Sequence, residues 1–367
     1  MTRTLAVRLD SDGDVLLTGP AVRALAAASD RLDLLVSPAG RAAAGLLPGV
    51  DRLTVFDVPW SGFRPAAVNP AAISALVVDM THQKYDLAVV FTSFHQSPLP
   101  MALLARMAGV PRIVADSEDY PGSLLDVRHR RQEVHEVEAA LQLATAAGAP
   151  ATDDSRLRVS IPPGTGNPAG GSGYVVLHPG ASVPSRGLLP AHAHRIAAEL
   201  VARGHRVVIT GGPQEVELAA AAYAPGCTDL AGRTDLAELA AVLRAAACVV
   251  TGNTGPAHLA AAVGTPVVSL FSPVVPAGRW APYGVPVVLL GDQQAPCAGS
   301  RARECPVPGH PCLSGVSAAE VARAVERFAG PIENTVSAGD SDSVMETDAE
   351  HTDLARPRFV DDVVRPG

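Results

Sequence analysis

The chain has 367 residues, of which 47% are apolar and 18% charged, with a formal net charge of -8. That length exceeds the roughly 250–300 residues at which a single hydrophobic core stops growing, so two domains are expected. The acidic balance lacks the basic face that nucleic acid requires, which excludes that partner. Arg3, Arg8, Asp10, Asp12 and Asp14 interrupt the apolar stretch that a secretory signal needs. No apolar run approaches the ~20 residues of a membrane span, although an enzyme with a lipid-linked acceptor would touch a bilayer peripherally. Five cysteines do not make a disulfide framework in so long a chain, so a reducing, cytoplasmic setting is expected, at most at the inner face of the membrane.

In chain order, 4–9 reads as a strand, 10–14 as a tight polar loop and 19–28 as an Ala/Leu-rich helix. Strands follow at 32–36, 53–57, 87–91 and 112–115, with helices near 70–80 and 99–108. Strands alternating with helices at this spacing imply βαβ units and a parallel sheet. Pro, Gly, Ser, Thr and Asp then dominate, and 161–173 reads as a linker between a first domain over 1–160 and a second over 174–330. The rhythm restarts with strands at 174–178, 206–210, 248–251 and 267–271, a short element at 229–231, and helices near 190–203, 215–223, 236–246 and 256–263. Helix 317–328 closes the folded part, with Ser317 and Glu320 in a capping-box pattern. Residues 331–367 are acidic and poor in large apolar groups, so they read as a disordered tail. The fold class expected is α/β, with two Rossmann-like doubly wound domains facing a central cleft.

Open parallel sheets bind ligands beyond the carboxyl ends of their strands, so informative residues should follow strands. Asp14 stands in the loop after the first strand, where Gly13 lets the backbone turn. It reads as a general base, or as a cap on the following helix. The repeated Asp-x-Asp there invites a divalent metal, but Ala21 occupies the place where a calcium loop needs its bidentate Glu, so no metal is assigned. His178-Pro179-Gly180-Ala181-Ser182 leads to Ser185-Arg186, a turn whose backbone N–H groups and guanidinium would suit a diphosphate, or else an ordinary solvated turn. Gly212 and Glu215 follow the next strand, where Glu215 either meets ribose hydroxyls or caps its helix.

Thr251-Gly252-Asn253-Thr254-Gly255-Pro256-Ala257-His258 is the strongest local signal. Pro256 suits a first helical position, so Thr254 and Gly255 can offer N–H groups at the positive helix end. His258, one turn inside, would bond a phosphate or serve only the core. No dinucleotide-type glycine fingerprint follows a strand and no Walker lysine loop is present, so hydride transfer and kinase chemistry lack their sites. Cys297, Cys305, His310 and Cys312 lack the close Cys-x-x-Cys pairs of structural zinc sites and read better as a cleft loop.

Together and in this order, the segments 8–20, 178–182, 211–215, 230–236, 252–258 and 311–312 resemble glycosyltransferase family 9, the ADP-heptose:lipopolysaccharide heptosyltransferases of GT-B fold, over about residues 3–328. The resemblance implies an inverting single displacement from a nucleoside-diphosphate-sugar, of ADP-heptose type, onto a carbohydrate or glycolipid hydroxyl, with no cofactor and no metal. It makes Asp14 the catalytic base. It assigns Ser182, Arg186, Thr254, Gly255, Pro256 and His258 to the donor phosphates, Gly212 and Glu215 to the nucleoside, and Asn253 to the donor sugar, where the family usually has Asp. Residues 117–122 and 128–131 would face the acceptor. A nucleotide-sugar epimerase of the same architecture and a non-catalytic sugar-nucleotide sensor are the competing readings.

Overall fold

The computed structural model describes residues 2–62, 65–93 and 96–330. The first sheet contains β1 (Arg3–Arg8), β2 (Arg31–Val36), β3 (Arg52–Val55), β4 (Leu87–Phe91), β5 (Arg112–Asp116) and β6 (Val127–His129), in the order β3-β2-β1-β4-β5-β6. Its connecting helices are α1 (Asp12–Ala27), α2 (Arg41–Ala44), α3 (Pro70–Gln83), α4 (Leu99–Met107) and α5 (Glu136–Ala146). The second sheet contains β7 (Val175–His178), β8 (Val207–Ile209), β9 (Thr228–Asp229), β10 (Cys248–Gly252), β11 (Val267–Leu270) and β12 (Val287–Leu290), in the order β12-β11-β10-β7-β8-β9. Around it lie α6 (Pro190–Ala202), α7 (Val216–Ala222), α8 (Leu236–Ala245), α9 (Gly255–Ala262), α10 (Ala277–Trp280), α11 (Pro311–Ser314) and α12 (Ala318–Ala329).

All strand pairs are parallel. Each sheet therefore has the doubly wound order, with its strand direction of winding reversing between β1 and β4 in one and between β7 and β10 in the other. Those two places are where such sheets open a ligand crevice. The strands read as nearly continuous Val, Leu, Ile and Ala because both faces are covered by helices. Alternation sorts the side chains: Leu5, Val7, Val90 and Ile113 pack on α3 and α4 through Leu76, Met80, Met101 and Leu104. Ala6, Val89 and Val114 face the other way, toward α1 and α5. In the second sheet Leu177, Ile209, Val250 and Val268 meet Ile196, Leu200, Val321 and Val325. Val176, Val249 and Val267 belong instead to the same apolar cluster as α1 and α5. One core thus runs through both halves where α1 packs against α9, and the two sheets form one compact unit.

Two expectations shift. Helix α1 starts at Asp12, not at 19, so Asp14 lies in a first helical turn and Pro20 sits mid-helix. Interior proline costs roughly 3 kcal/mol, but eleven of the sixteen residues of α1 are buried against two helices and the sheet, and packing prevails over propensity. Elements also occur where none was expected: α2, β6, α5, α10, β12 and α11. Between Ala146 and Val175 there is no helix or strand. Much of that stretch packs back on the first half, with Ser160 N–H donating to Leu46 O at 2.8 Å and Arg23 reaching the carbonyls of Asp154 and Arg156. The acidic tail assigned to 331–367 lies outside the described residues.

Candidate active site

At the crevice of the first sheet, β1 ends on Arg8, whose guanidinium is 4% exposed. Its Nε lies 2.8 Å from Asp10 Oδ2, and its Nη2 donates to Asp14 Oδ1 at 3.2 Å and to Ser93 Oγ at 2.9 Å. Burial works against that charge, but Asp10, Asp14 and Glu136 around it more than offset this and hold the guanidinium above its ordinary pKa. Ser93 follows β4, the neighbour of β1, so residues from both sides of the crevice converge. Asp14 Oδ2 accepts from Ser11 Oγ at 2.9 Å, and with 23% side-chain exposure this carboxylate is the one that reaches open space. Asp12 turns away and accepts from the Ala43 N–H at 2.8 Å.

At the crevice of the second sheet, the loops after β7 and β10 lie side by side. A Cβ on Gly252 would stand 2.2 Å from the Arg186 carbonyl oxygen, so only glycine lets the Arg186 turn rest on the end of β10. Ser185 pins that turn from behind, with its Oγ donating to Ala302 O at 2.5 Å and its N–H to Arg303 O at 2.9 Å. Arg186 Nε has no hydrogen-bond partner among the described residues; burial lowers the guanidinium's pKa while the Asp14 charge works in the opposite direction. Ser182 is exposed, and Thr254, Gly255 and Pro256 are half-buried. Helix α9 starts at Gly255 with Pro256 in its first turn, and the leading N–H groups of a helix have no intrahelical acceptor.

These two crevices meet. A Cβ on Gly13 would lie 3.3 Å from both Gly255 Cα and His258 Cδ2, so the N-terminal turns of α1 and α9 touch. Asp14 therefore faces Arg186 and His258, and its charge acts on both. His258 is buried with its Nδ1 unpartnered among the described residues, and burial pushes its imidazole down to about 4. The Asp14 carboxylate thus lies among two guanidinium groups, one of them also paired with Asp10, a neutral imidazole and two positive helix ends, which suits a dianion close to a proton acceptor.

Other sequence-chosen residues are placed as follows. Glu215 Oε2 accepts from the Gly212 N–H at 2.7 Å and lies 3.5 Å from His178 Nε2, while His178 Nδ1 shares a 3.0 Å hydrogen bond with Thr210 Oγ1. The carboxylate also fills the space beside Gly180, where a Cβ would overlap it. Its capping of the Gly212 turn is thus present. The Asn253 amide is buried and exchanges two long hydrogen bonds with the Ser272 backbone, at 3.4 and 3.3 Å. An Asp there would keep the acceptor half of that pair and lose the donor half. Arg128 holds the carbonyls of Ser117 and Glu118, and His129 Nδ1 is 2.5 Å from Asp116. Arg131 reaches Glu136 at 2.5 Å, and Glu136 also accepts from Arg279 of the other half at 3.0 Å. Among the described residues, no group of three or more His, Cys, Asp or Glu is placed to hold a metal ion.

Sequence reasoning missed Arg8, Asp10, Ser93 and Gln96 around the base. The signal for Arg8 was available, because an arginine follows the apolar run Leu5-Ala6-Val7 at the end of the strand just before the Asp-rich turn. Gln96 lies in a segment without periodicity and gave none.

The family model for glycosyltransferase family 9 (heptosyltransferase) matches residues 73–310. No curated protein sequence matches the chain. Among solved structures, the fold is similar to a glycosyl transferase family 9 protein from Veillonella parvula DSM 2008, at a TM-score of 0.73 and 18% identity over 89% of this chain and 97% of that one. It is similar also to E. coli ADP-heptose LPS heptosyltransferase II, at 0.70 and 19% over 90% and 98%. A third likeness is to E. coli heptosyltransferase WaaC with ADP, at 0.66 and 21% over 89% and 100%. With two doubly wound sheets in the GT-B arrangement and a family match over most of its length, the chain belongs to glycosyltransferase family 9 and is a sugar-transferring enzyme.

Proposed function

We propose that the enzyme moves a heptose-like sugar from an ADP-type nucleoside-diphosphate donor to a carbohydrate or glycolipid hydroxyl, with inversion, by a single displacement. The observation that carries this reading is the contact between α1 and α9, which sets Asp14 opposite Arg186, His258 and the Thr254–Pro256 turn. In the reaction, the acceptor oxygen bonds to the anomeric carbon as the bond from that carbon to the diphosphate oxygen breaks. The electron pair leaves on the nucleoside diphosphate, and Asp14 takes the hydroxyl proton, a contribution of roughly 10²–10⁴-fold in rate. Negative charge grows on the leaving diphosphate, so Arg186, Ser182, His258 and the N–H groups at Thr254 and Gly255 bind it more strongly in the transition state than in the ground state. Gly212 and Glu215 take the nucleoside end. Asn253 serves the donor sugar with the second amide N–H and the second oxygen lone pair, which its two long bonds to Ser272 leave over.

The two E. coli relatives are an ADP-heptose LPS heptosyltransferase and a heptosyltransferase with ADP, which supports an adenine nucleotide and a glycolipid acceptor here. We place the reaction in the cytoplasm, at the inner face of the membrane. Among the described residues, no helix is long and apolar enough to cross a membrane.

A melting-temperature panel of ADP-, GDP-, UDP- and dTDP-sugars, run with a chelator present, tests the donor. An ADP-sugar at about 100 times its Kd should stabilise the protein by about 2.7 kcal/mol. Asp14→Asn should keep that stabilisation and lose transfer by about 10²–10⁴-fold. Absence of any nucleotide response, or full transfer by Asp14→Asn, overturns the proposal.

A further inference from the structure

We propose that Arg8 and Asp10 are positioning residues for the base: Arg8 aims the Asp14 carboxylate, and Asp10 takes up enough of the Arg8 charge to leave Asp14 free to accept a proton. The inference rests on the reading of Asp14 as the base. It comes from an asymmetry between two carboxylates that share one buried guanidinium. Asp10 has the shorter contact, 2.8 Å against 3.2 Å, and 8% side-chain exposure against 23%. Its Oδ1 accepts from the Gln96 amide, which also donates to Ser61 Oγ, and its backbone carbonyl accepts from Ser37 Oγ. Asp10 thus has Arg8 against one oxygen and Gln96 on the other, whereas Asp14, whose side-chain bonds among the described residues are to Arg8 and Ser11, faces the space between the two crevices.

The chemical need follows from the proton transfer. A base held by a guanidinium of its own would have to give up that ion pair as it accepts the acceptor's proton, leaving a buried cation without an anion. With Asp10 in place, the pair Arg8–Asp10 remains intact when Asp14 becomes neutral. The proton passes from the acceptor hydroxyl to Asp14, the new glycosidic bond forms, and the diphosphate leaves with its electron pair, while neither Arg8 nor Asp10 changes its charge.

The groups that bear on this cluster come from every element around it: Arg8 on β1, Ser93 and Gln96 after β4, Glu136 on α5, and, facing Asp14, His258 on α9 and Arg186. Burial pushes the Asp10 carboxyl up to about 6, the nearby Asp14 charge adds to this, and Arg8 opposes it. Lowering the pH through about 6 should therefore neutralise Asp10 and leave Arg8 to grip Asp14, an effect that Asp10→Asn makes permanent.

The test follows the carboxylate resonances of protein carrying 13C-labelled aspartate from pH 4 to 8, with Asp14 identified by its loss in Asp14→Asn, alongside sugar transfer over the same range. We expect the Asp14 resonance of the wild type to shift near pH 6 as its neighbour gains a proton, and to lack that shift in Asp10→Asn. Transfer by Asp10→Asn at pH 8 should fall about 10- to 100-fold and lose the inflection near 6, with Asp10→Glu recovering both. A residue that only supports the fold would lower stability and leave the inflection in place. Retention of the inflection in Asp10→Asn, or wild-type transfer at pH 8, overturns the proposal. If Asp10→Asn does not fold, the wild-type resonances decide, and an Asp14 signal that is silent near pH 6 overturns it. The titration needs no sugar donor, so a wild type that transfers nothing refutes the proposed function while these resonances still decide the charge coupling.

Discussion

His258 is 6% exposed, its Nδ1 has no partner among the described residues, and its imidazole is pushed down to about 4 by burial, with the Asp14 charge opposing the shift and His135 and Arg186 adding to it. At neutral pH the ring is therefore an uncharged hydrogen-bonding group beside the proposed diphosphate site. An unfolded histidine titrates near ~6.5, so between about pH 6.5 and 4 the unfolded state binds more protons than the folded one, and stability falls as the pH is lowered through that window. A shift of this size amounts to about 2 kcal/mol at pH 5 relative to pH 7. Asp10 has the opposite sign: its raised carboxyl binds its proton more tightly when folded, so it adds stability as pH falls from about 6 toward ~4. The two largely cancel in the wild type. His258→Asn removes only the first, and urea titrations at pH 5 and pH 7 should show the variant gaining about 2 kcal/mol on the wild type at the lower pH. Parallel behaviour at the two pH values would mean that the ring is not held neutral.

Two glycines at element ends show how the site depends on close backbone approach. At Gly252, on the last turn of β10, a Cβ would overlap a backbone carbonyl at 2.2 Å, and no side-chain rotation can relieve that. Gly252→Ala should destabilise the protein by about 3 kcal/mol by displacing the Arg186 turn, and should abolish the nucleotide-induced rise in melting temperature. At Gly13, on α1, the new Cβ meets Gly255 and His258 at 3.3 Å, a distance that a few tenths of an ångström of movement relieves. Gly13→Ala should keep most of the stability, since alanine favours helix by about 1 kcal/mol, and yet lower transfer because α1 and α9 are held slightly apart. Comparing melting curves with transfer rates separates the two outcomes.

The same elements mark what could be read from sequence. Strands such as Leu87–Phe91 and Cys248–Gly252 were legible because strands buried on both faces are apolar runs bounded by polar turns. Helix α5 carried a legible pattern, Val137, Ala140, Leu141 and Ala144 behind an acidic first turn, in a stretch where no element was assigned. The true start of α1 was hidden because Gly19-Pro20 looks like a helix beginning, and only packing against α5 and α9 overrules that local sign. Asp14 and the 252–258 turn stood out through their glycines. The groups behind Asp14 did not, because Ser93 reaches Arg8, and Gln96 reaches Asp10, only through the pairing of β1 with β4.

At the scale of the whole molecule, the halves are joined by groups that no local pattern could pair. Glu136 begins α5, is almost wholly buried, and lies between Arg131 at 2.5 Å and Arg279 of the second half at 3.0 Å. Beside it, His135 Nε2 shares a hydrogen bond with Ala281 O at 2.9 Å, and the His135 and Tyr283 rings lie 4.6 Å apart. A buried ion pair is weak evidence of net stability, but removal of one member is costly when the remaining charge has nowhere to go. That makes the three members unequal. Glu136→Gln leaves the half-buried Arg131 and the buried Arg279 facing a neutral amide, with the exposed Glu133 carboxylate 3.6 Å from Arg279, and should cost about 3 kcal/mol. Arg279→Met leaves Glu136 with Arg131, so its cost should be smaller, about 1–2 kcal/mol, with the methionine filling the space of the side-chain stem. In the double variant Glu136→Gln with Arg279→Met, only Arg131 remains, still bonded to Thr92 O, and the loss should be less than the sum of the single losses. Urea unfolding of the four proteins measures that coupling directly. Additive losses would mean that Glu136 and Arg279 do not act on each other across the two halves.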